Sequence, residues 1–137
     1  VRSIGSYLGW LGWQTFSLIG NNITQLGYPG NLDFGLGMIL TQSNVYRRRN
    51  FAGEIGSAQW AGTSGGPWVQ NFGITPVGQV PIGPTKRQGF NRVVGVSSYG
   101  AGSLSSHNTT QMNEALVLNR NFVRLYNSAC AAAAGNC

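Results

Sequence analysis

The sequence predicts an all-β, antiparallel domain that ends in one short helix. Three observations carry this expectation. Charged residues make up only 9% of the 137 positions while hydrophobic residues reach 42%, a balance that supports a core and argues against disorder. Glycine occupies 21 positions and falls, with proline and asparagine, between short runs rich in β-formers. Apolar residues at helical spacing stand out near the C-terminus. The length suits a single domain over residues 1–137, with no internal repeat and no linker-like boundary.

In chain order, the strand candidates are Tyr7–Gln14, Ile23–Tyr28, Gly37–Tyr46, Trp68–Asn71, Arg92–Tyr99 and Ala115–Leu118. The second runs into a turn at Gly27–Gly30, where Pro29 pre-sets φ. Between Asn71 and Asn91 the chain holds Pro76, Pro81, Pro84 and Lys86-Arg87, which predicts a long exposed loop. Within Asn119–Ala133, Phe122, Leu125, Tyr126 and Ala129 recur at helical spacing, with Asn119 or Asn121 available as N-cap. That stripe is expected to pack on the β domain.

Composition excludes some classes of function. No apolar run approaches the roughly 18 residues that would span a bilayer. The net charge of +6 owes three of its nine basic residues to Arg47-Arg48-Arg49, which stands near Tyr46 and Phe51. A basic run beside aromatics is one ingredient of nucleic-acid binding. Here the excess is local and no nucleic-acid motif accompanies it, so a solvated loop between strands is the expectation. A subsite for acidic peptide side chains is the third reading. Few lysines and many Asn, Ser and Gly fit a secreted, extracellular protein, and Asn22-Ile23-Thr24 and Asn108-Thr109-Thr110 are glycosylation sequons. Cys130 and Cys137 are the two cysteines. Bridged, they would contribute about 2–3 kcal/mol by closing a short loop, unless a helix running through Ala134 forbids the geometry. Two cysteines and one distant histidine do not make a four-ligand zinc site, so neither metal nor cofactor is expected.

The most informative stretch is Gly62-Thr63-Ser64-Gly65-Gly66-Pro67. Glycines after a serine permit a tight turn that leaves the hydroxyl in the open, with the amides of Gly62 and Ser64 aimed at one spot. Two converging N–H donors beside a serine oxygen make an oxyanion hole, which stabilises the transition state of acyl transfer. A plain glycine-rich hairpin loop with an exposed serine is the alternative.

The hexapeptide resembles the nucleophile motif of chymotrypsin-like serine peptidases, Gly-Asp-Ser-Gly-Gly-Pro, with Thr63 in place of the aspartate. Ile23-Thr24-Gln25-Leu26-Gly27-Tyr28-Pro29-Gly30 resembles the V-x-GYPG strand and turn of the bacterial and fungal trypsin-like and glutamyl-endopeptidase-like enzymes. Ile4-Gly5-Ser6-Tyr7-Leu8-Gly9-Trp10 looks like the entry to the second barrel in that branch. Val93-Val94-Gly95-Val96-Ser97-Ser98-Tyr99-Gly100 resembles the V-G-x-x-Ser-Trp-Gly strand beside the primary specificity pocket. The resemblance implies a six-stranded antiparallel Greek-key barrel with a short C-terminal helix, the second of the family's two barrels. It implies that Ser64 is the nucleophile, that the Gly62 and Ser64 amides form the oxyanion hole, and that Ser98, Tyr99 and Gly100 bind substrate backbone. The pocket base falls on Ala58, which supplies no carboxylate for an Arg or Lys side chain. The histidine of glutamyl enzymes falls on Ser97. A neutral or small side chain is therefore the expected preference. Threonine at position 63 leaves no partner for a newly cleaved N-terminus, as in the glutamyl branch.

In the family the triad histidine and aspartate come from the first barrel, in the order His, Asp, Ser. Here His107, the single histidine, follows Ser64 in a Ser/Asn/Thr-rich loop and reads as a solvated loop residue. None of the three acids, Asp33, Glu54 and Glu114, matches the triad acid. A serine at its free pKa needs an adjacent base, so the chain alone is expected to be nearly inert and to be the C-terminal half of a longer peptidase. Its expected partners are a peptide or protein substrate and a first-barrel segment or separate chain. Self-association through the face that the first barrel would cover is the other expectation. The rival from another class is a non-catalytic trypsin-like barrel acting as a peptide-binding or assembly module. A lectin-like sandwich is weaker still, because Trp10, Trp13, Trp60 and Trp68 are expected in the core or at a barrel interface.

Overall fold

The computed structural model describes residues 5–15, 22–49, 52–74, 90–101, 112–117 and 119–133. A single helical turn, α1 (Gly5–Leu8), leads to the short β1 (Gly12–Trp13). β2 (Asn22–Gly27) and β3 (Ile39–Asn44) form an antiparallel hairpin, and a 3-10 turn at Asp33–Gly35 lies in its connection. β4 (Arg47–Arg49), β5 (Ala52–Gly56), β6 (Pro67–Gln70), β7 (Arg92–Ala101) and β8 (Met112–Val117) follow, and α2 (Arg120–Ala132) comes last.

The strands make one sheet in the order β3-β2-β6-β7-β8-β5-β4, with β1 lying parallel beside β7. Every other pairing is antiparallel. Between β5 and β6 the chain skips past β8 and β7, a Greek-key type of crossing. The sheet is not the closed six-stranded barrel expected from sequence. Among the described residues it has eight strands, and no ladder joins β3 to β5. The physical reason lies in the stretch 39–49. β3 pairs with β2, the chain bends at Val45-Tyr46, and β4 then pairs with β5. One bent run therefore supplies both ends of the sheet, linked by covalent chain instead of a ladder.

Ile23, Val45, Ile55, Trp68 and Val94 form the buried core, drawn from β2, the 39–49 bend, β5, β6 and β7. Trp68 is fully buried, whereas Trp10 is 79% exposed and Trp13 packs on α2. Trp13 meets Phe122 edge-on at 5.2 Å and Tyr126 at 5.1 Å, so β1 and α2 cover each other where β7 runs past the end of β8.

Several sequence expectations change here. Tyr7–Gln14 is not one strand: the Gly9 amide closes a helical turn on Gly5 O, and Gly9 at φ 78° ends it, leaving two residues for β1. Arg47-Arg48-Arg49 is a strand and not a loop, because β5 supplies a ladder partner that the arginines do not announce. β5 itself, Ala-Gly-Glu-Ile-Gly, has little local strand preference and is held by pairing on both sides with β4 and β8. The predicted helix is present, capped by Asn119, whose Oδ1 accepts from the Asn121 amide at 2.8 Å and the Phe122 amide at 3.4 Å. Its stripe is narrower than expected, since Leu125 is 68% exposed and Ala129 is exposed. Most of the expected 71–91 loop lies outside the described residues. The part that is described is pinned by the Gly73 amide donating to Asn91 Oδ1 at 2.8 Å.

Two exposed apolar groups stand out. One is Tyr7, Leu8 and Trp10; the other is Phe34, Leu36, Met38 and Leu40 along the β2–β3 connection and the outer face of β3.

Candidate functional site

The stretch 57–66 joins β5 to β6 and lies against the end of β2 and the middle of β7 at Ser97. Its shape follows from glycine. Gly62 and Gly65 hold φ at 100° and 85°, the left-handed range that side chains resist. A Cβ on Gly62 would land on the Tyr28 carbonyl oxygen, and one on Gly66 would land on the Leu26 carbonyl oxygen. Gly62 and Gly66 thus let the loop lie backbone against backbone on the stretch from Leu26 to Gly30. The Gly30 amide completes it by donating to Ala61 O at 2.7 Å.

Hydrogen bonds fix the turn on its other side. The Gly65 amide donates to Ser97 O, the Ser97 amide to Gly66 O and the Gly66 amide to Thr63 O, each at 2.9 Å. The Thr63 amide turns inward to Trp60 O at 3.2 Å. The amides on either side of it, Gly62 and Ser64, donate to no acceptor among the described residues. The Ser64 side chain is exposed, and its hydroxyl makes one long hydrogen bond, to Ser98 O at 3.4 Å. This turn therefore presents an exposed hydroxyl flanked by two N–H donors that have no acceptor among the described residues.

The predicted substrate strand sits beside it. β6 pairs with β7 only as far as Val96, and the ladder to β8 shifts register between Ser97 and Tyr99. That irregularity falls at Ser98, whose carbonyl faces Ser64; such breaks in a ladder re-aim the strand. Tyr99 and Gly100 continue in β7 opposite Glu114 and Asn113. Ala58 is exposed, and its carbonyl accepts from Asn31 Nδ2 at 2.9 Å, while Asn31 Oδ1 accepts from the Trp60 amide at 3.0 Å.

Beneath the loop lies a buried, uncharged polar network that sequence reasoning did not anticipate. Ser97 Oγ accepts from Trp68 Nε1 at 3.0 Å and from Gln25 Nε2 at 3.2 Å. Ser57 Oγ donates to Gln25 Oε1 at 2.6 Å and accepts from the Gln59 amide at 3.2 Å. The only available signal was Gln25 inside an otherwise β-forming run; strict alternation does not identify it as buried, because β2 is buried on both faces.

The acids are placed elsewhere. Asp33 sits in the 3-10 turn, and Glu54 is buried in β5, accepting from the Tyr46 hydroxyl at 2.8 Å. Glu114 is the ladder partner of Glu54 in β8. Among the described residues the Ser64 hydroxyl bonds neither Asp33 nor Glu54. His107 lies outside the described residues. Cys130 is disulfide-bonded, and Cys137 lies outside the described residues. Among the described residues no group of three or more His, Cys, Asp or Glu side chains could hold a metal ion. No helix among them is long and apolar enough to cross a membrane.

No family model matches the sequence, and no curated protein matches it. Among solved structures, the fold is similar to that of a thermostable serine protease, AL20, from an extremophilic microorganism, with a TM-score of 0.66 at 16% sequence identity. The match covers 96% of this chain and 54% of the protease, so the chain spans about half the length of that structure. What the two share is the fold, which in this chain is mostly β with a short C-terminal helix.

Proposed function

We propose that this chain is the nucleophile-bearing half of a serine endopeptidase of chymotrypsin-like type. The observation that carries the reading is the turn at Gly62–Gly66, with Ser64 exposed between two amides that have no acceptor among the described residues. In this reading Ser64 Oγ attacks the scissile carbonyl carbon while a base takes its proton. The developing oxyanion accepts from the Gly62 and Ser64 N–H groups, the device usually worth most in acyl transfer. Collapse expels the amine, which takes the proton from the base, and water then hydrolyses the acyl-enzyme by the same steps in reverse order.

Substrate backbone lies along Ser98, Tyr99 and Gly100, adding a strand beyond the point where β6 stops pairing with β7. Ala58 and Ser97 bring no charge to the side-chain pocket, which favours a neutral or small residue at the cleavage site. The Gly-Tyr-Pro-Gly turn and the absence of an acid at Thr63 support a reading in the glutamyl-endopeptidase-like branch, although Ser97 stands where that branch has its histidine. The base and its acid come from a first barrel, in the same polypeptide or a separate one. Two observations support that partner: the chain spans 54% of the similar protease, and the apolar groups at Tyr7–Trp10 and Phe34–Leu40 are exposed as if awaiting cover. The Cys130 disulfide suits an oxidising, extracellular location.

Digestion of a peptide library by the complete product of the encoding gene tests this reading. Ser64→Ala should lower turnover by at least about 10³-fold with the fold intact. Cleavage by the Ser64→Ala protein at the unsubstituted rate would remove the serine mechanism. Binding of peptides without any cleavage would favour the non-catalytic module.

A further inference from the structure

The loop that carries Ser64 uses the positive φ open to Gly62 and Gly65, and it leaves two amides without acceptors among the described residues, an arrangement that needs its surroundings to hold it. What imposes it is buried and uncharged. Thr63 is 4% exposed, and its hydroxyl donates to Gln59 Oε1 at 3.2 Å. Gln59 is fully buried, and its Nε2 is shared among Gln25 O at 3.4 Å, Ile39 O at 3.2 Å and Thr41 Oγ1 at 3.0 Å. One side chain thereby ties the nucleophile loop to both β2 and β3. There is no slack around it: a Cβ on Gly27 would come within 2.7 Å of Thr63 Cγ2 and 2.8 Å of Gln59 Oε1.

We infer that Gln59 and Thr63 are positioning residues, a charge-free clamp that presets the Gly62 and Ser64 amides for an oxyanion. Anchoring Thr63 inward, by side chain and by its amide on Trp60 O, turns the amides before and after it outward. Donors fixed in advance need no rearrangement when charge develops, which is what makes such a site effective. The purpose of the clamp rests on the peptidase reading; its existence does not.

Amide hydrogen exchange on this chain, compared between Thr63→Val and Thr63→Ser, tests the clamp without requiring activity. Valine keeps the shape and removes the hydroxyl that donates to Gln59 Oε1; serine keeps it. The Thr63→Val chain should exchange the amides of residues 63, 65 and 66 at least about tenfold faster, the size of one buried hydrogen bond. The β2 and β6 amides, and the β7 amides other than that of Ser97, which donates to Gly66 O, should not change, and Thr63→Ser should stay within about twofold of the unsubstituted chain. If valine prevents folding, Thr63→Ala takes its place. On the complete gene product, labelling of Ser64 by a fluorophosphonate should slow by about tenfold in Thr63→Val and recover in Thr63→Ser. Unchanged exchange in Thr63→Val, or equal loosening in Thr63→Ser, overturns the clamp even where Ser64 labels normally. The expected exchange pattern with no labelling of Ser64 in the unsubstituted protein keeps the clamp and overturns the peptidase reading.

Discussion

Trp68→Ala is expected to cost about 3–5 kcal/mol, as truncation of fully buried tryptophans does, and to lower Tm by about 10 °C or more. Trp68 is 0% exposed and lies in the buried cluster that joins β2, β5, β6 and β7. Its ring fills the core while its Nε1 donates to Ser97 Oγ at 3.0 Å. Truncation therefore opens a cavity and removes a donor from a buried hydroxyl at the same time. Trp68→Phe separates the two terms, because it keeps most of the volume and removes only the N–H. It should cost about 1–3 kcal/mol. Urea denaturation followed by far-ultraviolet circular dichroism measures both. A loss under about 1 kcal/mol for Trp68→Ala would mean that the core is not organised around this ring.

Gly66→Ala is expected to be strongly damaging for a single added methyl. Its Cβ would collide with the Leu26 carbonyl oxygen and sit 2.9 Å from the Thr63 carbonyl oxygen, and both obstacles are backbone that cannot rotate away. The same residue donates to Thr63 O and accepts from the Ser97 amide, so relief by movement breaks the hydrogen bonds that hold the turn. A cost of about 3 kcal/mol follows from overpacking of this kind. Gly65→Ala is the internal comparison. Nothing lies within 4 Å of its Cβ position, so the penalty there is conformational alone, for φ at 85°, or about 1–2 kcal/mol. Thermal denaturation should rank Gly66→Ala well below Gly65→Ala. The reverse order would mean that β2 does not lie against the loop.

Local patterns made much of this molecule legible. Ile23–Tyr28, Trp68–Asn71 and Arg92–Tyr99 coincide closely with β2, β6 and the first part of β7, because β-forming runs there end at Gly, Pro or Asn. The cap of α2 was readable from Asn119 for the same local reason. What local patterns could not reveal depends on partners distant in sequence. β5 is stabilised by β4 and β8, and Arg47–Arg49 becomes a strand only because β5 is there. Tyr7–Gln14 looked like a strand from its aromatics, yet Tyr7, Leu8 and Trp10 are exposed and have no ladder to join. At the site, the hexapeptide identified the serine and the need for glycine. It did not reveal that Gly62 and Gly66 also make room for the carbonyls of Tyr28 and Leu26. Gln25 and Gln59 escaped notice because a glutamine reads as surface, and only the fold shows that each is fully buried and bonded.

The central claim is that the turn presents Ser64 as a nucleophile beside two amide donors, and that the base comes from a first barrel. Fluorophosphonate labelling, with the adduct located by mass spectrometry, tests it most directly. It should be run on this chain alone and on the complete product of the encoding gene. The account predicts an adduct on Ser64 in the complete product, none in its Ser64→Ala variant, and little or none on this chain alone. No adduct on Ser64 in either form would contradict it, and the fold would then be a serine-protease architecture put to a non-catalytic use.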